Sequence, residues 1–414
     1  MRMDRREDGF FGNREPGDIV QEYGSPVYVY NEAILRKRCR ELKSMASYPH
    51  FVIDYSIKAN FNPALLKIVK EEGLEVDVMS PGEMYLAKMA GFSSEEIFFI
   101  SNNVSEEEMS YAIAEGIMVS VDSLSQLEQY GRLNPGGKVA VRLNPGVGAG
   151  HHEKVVTAGK KTKFGIDAER IEDIKAVLKK YSLTLAGINQ HIGSLFLEKE
   201  QYLKSVDSLL RCAKEFNDLE FVDFGGGFGI SYEKDKTPNR LDLRELGEEL
   251  DKIMYQFTAE YGREIVFRVE PGRYVVAESS VLLGTAQCVK ENHGKSYVGT
   301  DIGFNVLMRP VLYDSYHEIE VYSYIEETTS ESSPVTVVGN ICESGDILAE
   351  NRLLPPIREK DIIGVLDAGA YGHVMSSNYN GRLRPAEVLV TEDGSVRLIR
   401  KRDSLEDLAR NYIL

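Results

Sequence analysis

Apolar and polar positions fall in blocks along this chain. Strand-length apolar runs recur at Phe51–Ile57, Glu75–Met79, Ile97–Ile100, Met118–Val121, Val139–Leu143, Leu185–Ile192, Phe221–Phe224 and Ile265–Val269. Between most of them lie segments of helical period with their own start and stop signals. Asn62-Pro63 opens one that closes at Gly73, Ser80-Pro81-Gly82-Glu83 opens one that closes at Gly91, and Ser105 with Glu108 opens a third. Strands alternating with helices predict parallel strands joined by crossover helices. Eight such units in series predict an α/β protein with a (β/α)8 barrel over residues 31–278, close to the roughly 250 residues usual for that fold. An open, doubly wound sheet is the alternative architecture.

After about Ser279 the texture becomes β-rich and turn-punctuated: Val281–Ala286, Ser296–Thr300, Glu318–Tyr324, Val335–Val338, Asp361–Ala368, Glu387–Val390 and Val396–Ile399. This predicts a C-terminal antiparallel β domain over 279–414, closed by a short helix from Leu405. The β-favouring run Pro26–Tyr30 is placed with it, so that residues 1–30 belong to the same domain. Residues 1–25 are otherwise charged and turn-rich, residues from Asn31 to about Ser47 are helical in pattern, and Glu326–Pro334 reads as a polar hairpin loop.

Composition narrows the classes. A net charge of −16 argues against nucleic acid, whose binding rests on clustered Lys and Arg. No apolar run approaches the roughly 20 residues that span a bilayer, and no apolar core follows Met1–Arg5 as a signal peptide requires. Cys39, Cys212, Cys288 and Cys342 have neither paired nor metal-ligand spacing, which fits free thiols in a reducing, cytoplasmic setting. His151-His152 lacks a carboxylate or cysteine cluster beside it, so no metal is expected.

Chemistry in such barrels sits at the C-terminal ends of the strands. Those ends carry Lys58, Asp77 with Ser80, Asn102, Asp122, Arg142, His191 with Ser194, Gly225-Gly226-Gly227, and Glu270 with Arg273. A lysine at the end of a buried strand is desolvated, which makes its amine a usable nucleophile. Singly, Lys58 reads as a surface lysine, His191 as a satisfied core histidine, Glu270 as half of an ion pair and the glycines as a tight turn. Together they describe what pyridoxal phosphate needs: an amine, a carboxylate for the ring nitrogen, an imidazole to stack on the ring and a loop cradle for phosphate.

Further motifs run through the chain in order: Tyr55–Asn60, Asn144-Pro145-Gly146, Lys163–Ile166, His191–Ser194, Asp223–Gly229, Glu270–Arg273, Met308–Tyr313, Cys342–Asp346, Gly369–Gly372 and Arg384–Val390. With these the sequence resembles the alanine-racemase-type (fold type III) pyridoxal phosphate enzymes, and within them the diaminopimelate branch of the ornithine/diaminopimelate/arginine decarboxylase family. The resemblance implies a homodimer whose sites combine the barrel of one subunit with the β domain of the other. It makes Lys58 the Schiff-base lysine, His191 the stacking ring and Glu270 the partner of the pyridine nitrogen. Asp77, Arg142, Ser194, Gly226, Gly227, Gly272, Arg273 and Tyr371 are implied to surround the cofactor. Arg273, Arg309, Tyr313, Glu343 and Tyr371 are implied to read the substrate, and Cys342 to give a proton to its α-carbon.

Two arginines and a glutamate suit a distal group that is itself an amino acid. The reaction implied is decarboxylation of meso-2,6-diaminopimelate to L-lysine and CO2. Relatives of this class act on other carboxylated amines such as carboxynorspermidine, ornithine or lysine, or carrier-tethered glutamate. A racemase is a second reaction class, against which Glu270 argues; a non-enzymatic paralogue is a third, against which Lys58 and Cys342 both argue. The chain departs from the family pattern at Gln190, Leu195, Val306 and the Gly146–Gly150 stretch with its two histidines.

Overall fold

A computed structural model describes residues 5–100, 102–144, 163–234, 240–323 and 331–413. The chain divides into two compact units, one of Arg36–Ser231 with Thr237–Val275 and the other of Met1–Leu35, Tyr232–Lys236 and Val276–Leu414. The first strand, β1 (Val27–Asn31), belongs to the second unit.

The larger unit is a closed parallel barrel. Its strands are β2 (Phe51–Ser56), β3 (Glu75–Val78), β4 (Ile97–Ile100), β5 (Met118–Val121), β6 (Lys138–Asn144), β8 (Thr184–Asn189), β9 (Phe221–Gly226) and β10 (Val266–Glu270), while the two-residue β7 (Ile166–Asp167) pairs onto β6. Neighbours follow chain order, and β10 pairs with β2 to complete the ring. The helix starts lie where their caps predict. Asn62 accepts the Ala64 N–H, Ser80 accepts the Glu83 N–H, and Ser105 with Glu108 forms a reciprocal capping box.

The barrel holds an apolar cluster and, beside it, a charged one, with Arg268 over the Phe221 ring at 5.5 Å. Phe98, Ile100, Ala140, Ala186 and Phe221 form a cluster with Met79, Met118 and Val266 against it, and the Phe98 and Phe221 rings meet edge to face at 5.4 Å. In the charged cluster, Arg268 Nη1 lies 2.8 Å from Asp54 Oδ1 and 2.9 Å from Glu75 Oε2, and the Asp54 side chain is fully buried. Burial pushes the Asp54 carboxyl up to about 6 despite the charge of Arg268. Arg268→Met strands this carboxylate and is expected to cost about 3–5 kcal/mol at neutral pH. A carboxyl raised in the folded state takes up a proton on folding, so its burden is absent near pH 4 and grows as pH rises through about 6. The loss in urea-unfolding free energy should therefore shrink on acidification.

β8 stops at Asn189, three residues short of the expected Ile192. Gln190 still donates its N–H to the Asp223 carbonyl, but the chain then leaves the sheet and turns at Gly193, whose φ is +146°. That departure carries His191 and Ser194 onto the rim.

The second unit is a nine-stranded sheet built from β1, β11 (Ser280–Asn292), β12 (Lys295–Thr300), β13 (Ile319–Tyr322), β14 (Ser333–Val338), β15 (Ile347–Leu354), β16 (Ile362–Leu366), β17 (Ala386–Val390) and β18 (Val396–Arg400). It is mixed: its pairings are antiparallel except β1 with β17 and β12 with β14. β1 lies between β11 and β17. Its Val27 and Val29 pack with Phe10, Phe11, Ile19, Val281, Leu283 and Val388 in the core.

Three features depart from expectation. The turn-rich N-terminus contains a helix, Pro16–Tyr23, that buries Ile19. Ser333 and Pro334 open β14 instead of closing a loop, the rest of which falls largely outside the described residues, as do Tyr324, Gly146–Gly150 and His151-His152. β15 was not expected at all. The C-terminal helix is Leu405–Ala409, capped by Ser404. Among the described residues no helix is long and apolar enough to cross a membrane.

Candidate active site

β2 ends in a single 3-10 turn, Ile57–Ala59, which projects Lys58 from the strand end. Its Nζ lies 3.4 Å from Ser56 Oγ and 3.6 Å from Asp77 Oδ1. The Ser56 hydroxyl in turn donates to Asp77 Oδ2. Burial pushes the Asp77 carboxyl up to about 8, against the pull of the lysine charge. Asp77 thus stands behind the amine as its immediate titratable neighbour.

A cavity of about 320 Å³ opens here, walled by Lys58, Arg142, His191 and Glu270 together with Met79 and Ile100. A larger one of about 490 Å³ lies at the opposite, N-terminal ends of the strands and holds none of the expected site residues. In the smaller cavity, Arg142 stacks over the Phe164 ring at 4.6 Å. Its Nη2 is buried with no hydrogen-bond acceptor among the described residues. Asn102 and Asp122 hydrogen-bond to each other.

His191 accepts the Gly226 N–H at Nδ1 over 3.2 Å. The lone pair of that nitrogen is thereby engaged, so Nδ1 carries no proton toward Glu270 Oε2, 3.6 Å away. Burial lowers the pKa of this imidazole and favours its neutral form. Glu270 is fully buried, which alone would raise its carboxyl; the His191 and Asp223 side chains beside it and the Lys58 charge instead hold it below the usual carboxylate range.

The phosphate side is built from close backbone approaches. A Cβ at Gly226 would lie 1.8 Å from the Glu270 carbonyl oxygen, and one at Gly227, where φ is +107°, 2.4 Å from the Gly193 oxygen. No other residue fits at either place. Gly272 packs against Ser56 and Ala59, and Pro271 accepts the Ser56 N–H, which fastens the Glu270–Arg273 turn to β2. Arg273 Nη2 donates to Ser194 Oγ at 3.1 Å, joining that turn to the His191–Ser194 loop. The departures nearby are structural: Gln190 is buried and donates to Ser205 Oγ, and Leu195 adopts a left-handed φ of +69°.

Lys58, Asp77, Arg142, His191, Ser194, Gly226, Gly227, Glu270, Gly272 and Arg273 therefore share one rim. The other expected residues are carried by the second unit. Arg309 and Tyr313 begin and end a short helix. Arg309 is fully buried, donates to His317 Nε2 at 2.7 Å and to Ser315 Oγ at 3.3 Å, and stacks on Tyr232 at 4.3 Å. His317 Nδ1 faces the Leu366 carbonyl at 2.8 Å and must donate to it, which leaves Nε2 as the acceptor for the arginine. Val306, another departure, is buried and accepts the Tyr28 hydroxyl.

Cys342 and Glu343 are exposed on a loop held by Asp346, which accepts the Phe304 and Ile341 N–H groups at 2.7 Å each. The Cys342 N–H donates to Asn380 Oδ1 at 2.6 Å. Tyr371 sits at a left-handed φ of +56° beside Gly369, where a Cβ would meet the Val276 oxygen at 2.0 Å. Ser56 and His317 were not singled out from the sequence, and neither was Asp223 beyond its place in a motif.

The barrel rim fits an anionic, phosphorylated aldehyde. It offers one amine with a buried carboxyl neighbour, a buried arginine nitrogen without an acceptor among the described residues, and glycines placed where side chains are excluded. Residues 32–277 match the family model for the pyridoxal-binding domain of pyridoxal-dependent decarboxylases. The chain belongs to that family. Its cofactor is pyridoxal 5'-phosphate.

Over 408 residues it is 40% identical to a diaminopimelate decarboxylase of Methanothermobacter thermautotrophicus, covering 96% of this chain and 94% of that one. It is 38% identical to the Archaeoglobus fulgidus diaminopimelate decarboxylase, covering 94% and 93%. The crystal structure of the Helicobacter pylori diaminopimelate decarboxylase in complex with L-lysine superposes with a TM-score of 0.86 at 30% identity, covering 96% of this chain and 98% of that one.

Proposed function

We propose that this chain removes CO2 from meso-2,6-diaminopimelate to give L-lysine. The reading is carried by the near-full-length likeness to the Methanothermobacter enzyme, whose name states that activity. The lysine bound to the Helicobacter relative is the product expected here.

In this reading Lys58 holds the cofactor through its amine. Arg273, Ser194 and the Gly226-Gly227 and Gly272 backbones would hold its phosphate, Tyr371 would contribute to its binding, and His191 would stack on its ring. Pyridoxal phosphate, when bound, supplies the electron sink into which the pair left by CO2 is drawn. Glu270, kept anionic, would accept a hydrogen bond from the protonated ring nitrogen and keep the ring electron-withdrawing. The Cys342 thiol is the proton source for the α-carbon. Arg273 and Arg309 take the distal carboxylate, Glu343 the distal ammonium, and Tyr313 closes that end. Ornithine or lysine, lacking the distal carboxylate, leaves those arginine charges without their substrate partner.

Cys342 and Glu343 reach the site from the partner subunit of a homodimer. The free thiols of Cys39, Cys212, Cys288 and Cys342 support a cytoplasmic enzyme. Steady-state CO2 release across diaminopimelate, ornithine, lysine and carboxynorspermidine tests the substrate. A preference of more than about tenfold, or 1.4 kcal/mol, for any of the others would replace diaminopimelate with that amine.

A further inference from the structure

Asp223 is a charged residue type in the middle of an apolar strand, Phe221-Val222-Asp223-Phe224, and it is completely buried. On the neighbouring strand β10, Arg268 pairs with Asp223 and Glu270 with Gly226, across a register shift between the two. Asp223 Oδ1 accepts the Gly225 N–H at 2.8 Å. Its other oxygen, Oδ2, is buried with no hydrogen-bond donor among the described residues, and the same is true of Glu270 Oε1. Yet the two side chains are within hydrogen-bonding reach of each other.

Two carboxylates in contact and out of water cannot both be ionised, and a single proton between them removes the repulsion and satisfies both orphan oxygens. The surroundings decide which carboxyl holds it. Asp54 faces both carboxyls, and Asp77 also faces Glu270, but Glu270 feels the Lys58 charge and is the stronger partner of Arg142. The cations Arg268 and Arg142 also face Asp223, but Arg268 is held by Asp54 and Glu75. Burial pushes the Asp223 carboxyl well above the usual carboxylate range, and Glu270 adds to the shift. His191 cannot be Glu270's donor through Nδ1, because that nitrogen accepts the Gly226 N–H.

We propose that Asp223 is a neutral carboxylic acid in the folded protein and donates its proton from Oδ2 to Glu270 Oε1. That bond fixes the rotamer of Glu270 and keeps it the anion of the pair. Asp223 is thus a positioning residue: it acts on the cofactor ring through Glu270, an assignment that rests on the function proposed above.

An asparagine can reproduce this arrangement atom for atom, accepting the Gly225 N–H at Oδ1 and donating from Nδ2. A leucine of similar size cannot. Asp223→Leu is expected to lower kcat on the order of 10- to 10²-fold, as loss of a hydrogen bond to a charged group does, and to shift the cofactor's absorption band. Asp223→Asn should restore most of both, the reverse of what an ionised aspartate would require.

Infrared difference spectra of the holoenzyme at pH 7, wild type minus Asp223→Asn, should contain the carbonyl stretch of one neutral carboxylic acid that moves in D2O. No such band, or Asp223→Asn as damaged as Asp223→Leu, would overturn the assignment. Should the leucine variant not fold, the infrared result still decides. Glu270→Gln separates the two layers of the argument: a cofactor spectrum unchanged in that variant would remove Glu270 from the ring nitrogen, while the infrared band would continue to report the shared proton.

Discussion

Lys58→Ala is expected to lose turnover by on the order of 10³-fold or more, since it removes a nucleophile and a positioned proton carrier together. The purified protein should also lose the near-visible absorption band of attached cofactor. The competing amine is Lys163, which lines the same cavity and lies 5.0 Å from the Phe164 ring centroid. Lys58 differs in having a fully buried carboxylate, Asp77, 3.6 Å from its nitrogen and a serine hydroxyl at 3.4 Å. That setting orients the amine and gives its proton a place to go. Lys163→Ala is therefore expected to keep the band. A band that survives in Lys58→Ala and disappears in Lys163→Ala would move the attachment point. The spectrum is read on resting protein, so this outcome does not depend on having chosen the right substrate.

The barrel was legible because its strands are largely buried and read as short, mainly apolar runs, and because the helix starts announce themselves at Asn62-Pro63, Ser80-Pro81 and Ser105 with Glu108. β15 was not, because Glu350-Asn351-Arg352 interrupt its apolar positions; it forms by pairing with β14 over Val338↔Ile347 to Ser333↔Leu354. The outer half of β11, from Gln287 to Asn292, is charged and exposed and becomes strand only through β12. The helix Pro16–Tyr23 has a proline at its start but no polar cap, so the sequence around it looks like turn.

The same division runs through the site. Lys58, His191 and Glu270 stand at strand ends, where position along one element is enough to suggest a role. Asp223 and Ser56 matter through what lies beside them on the next strand, and only strand pairing supplies that neighbour. A polar residue inside an apolar run was the available signal for Asp223. His317 had none: its role is to offer a lone pair to an arginine eight positions earlier.

Cys342→Ala is expected to slow turnover by on the order of 10²-fold or more, the usual contribution of a positioned general acid, while leaving the cofactor band intact. The loop that bears it is exposed, and its shape comes from Asp346 and Asn380, so removing the sulfur should not disturb the fold. This contrast with Lys58→Ala allows a sharper experiment. If the proton donor of each site comes from the partner subunit, each homodimeric variant is inactive for a different reason. Co-refolding the two variants gives hybrids in which one site has lost both residues and the other has both intact. Random pairing makes half the dimers hybrid, each with one working site, so activity should return to about a quarter of wild type in a C2 dimer. Recovery at that level would place Cys342 in the neighbouring subunit's site. With both residues drawn from one chain, every site in the mixture carries a lesion, and no activity would return.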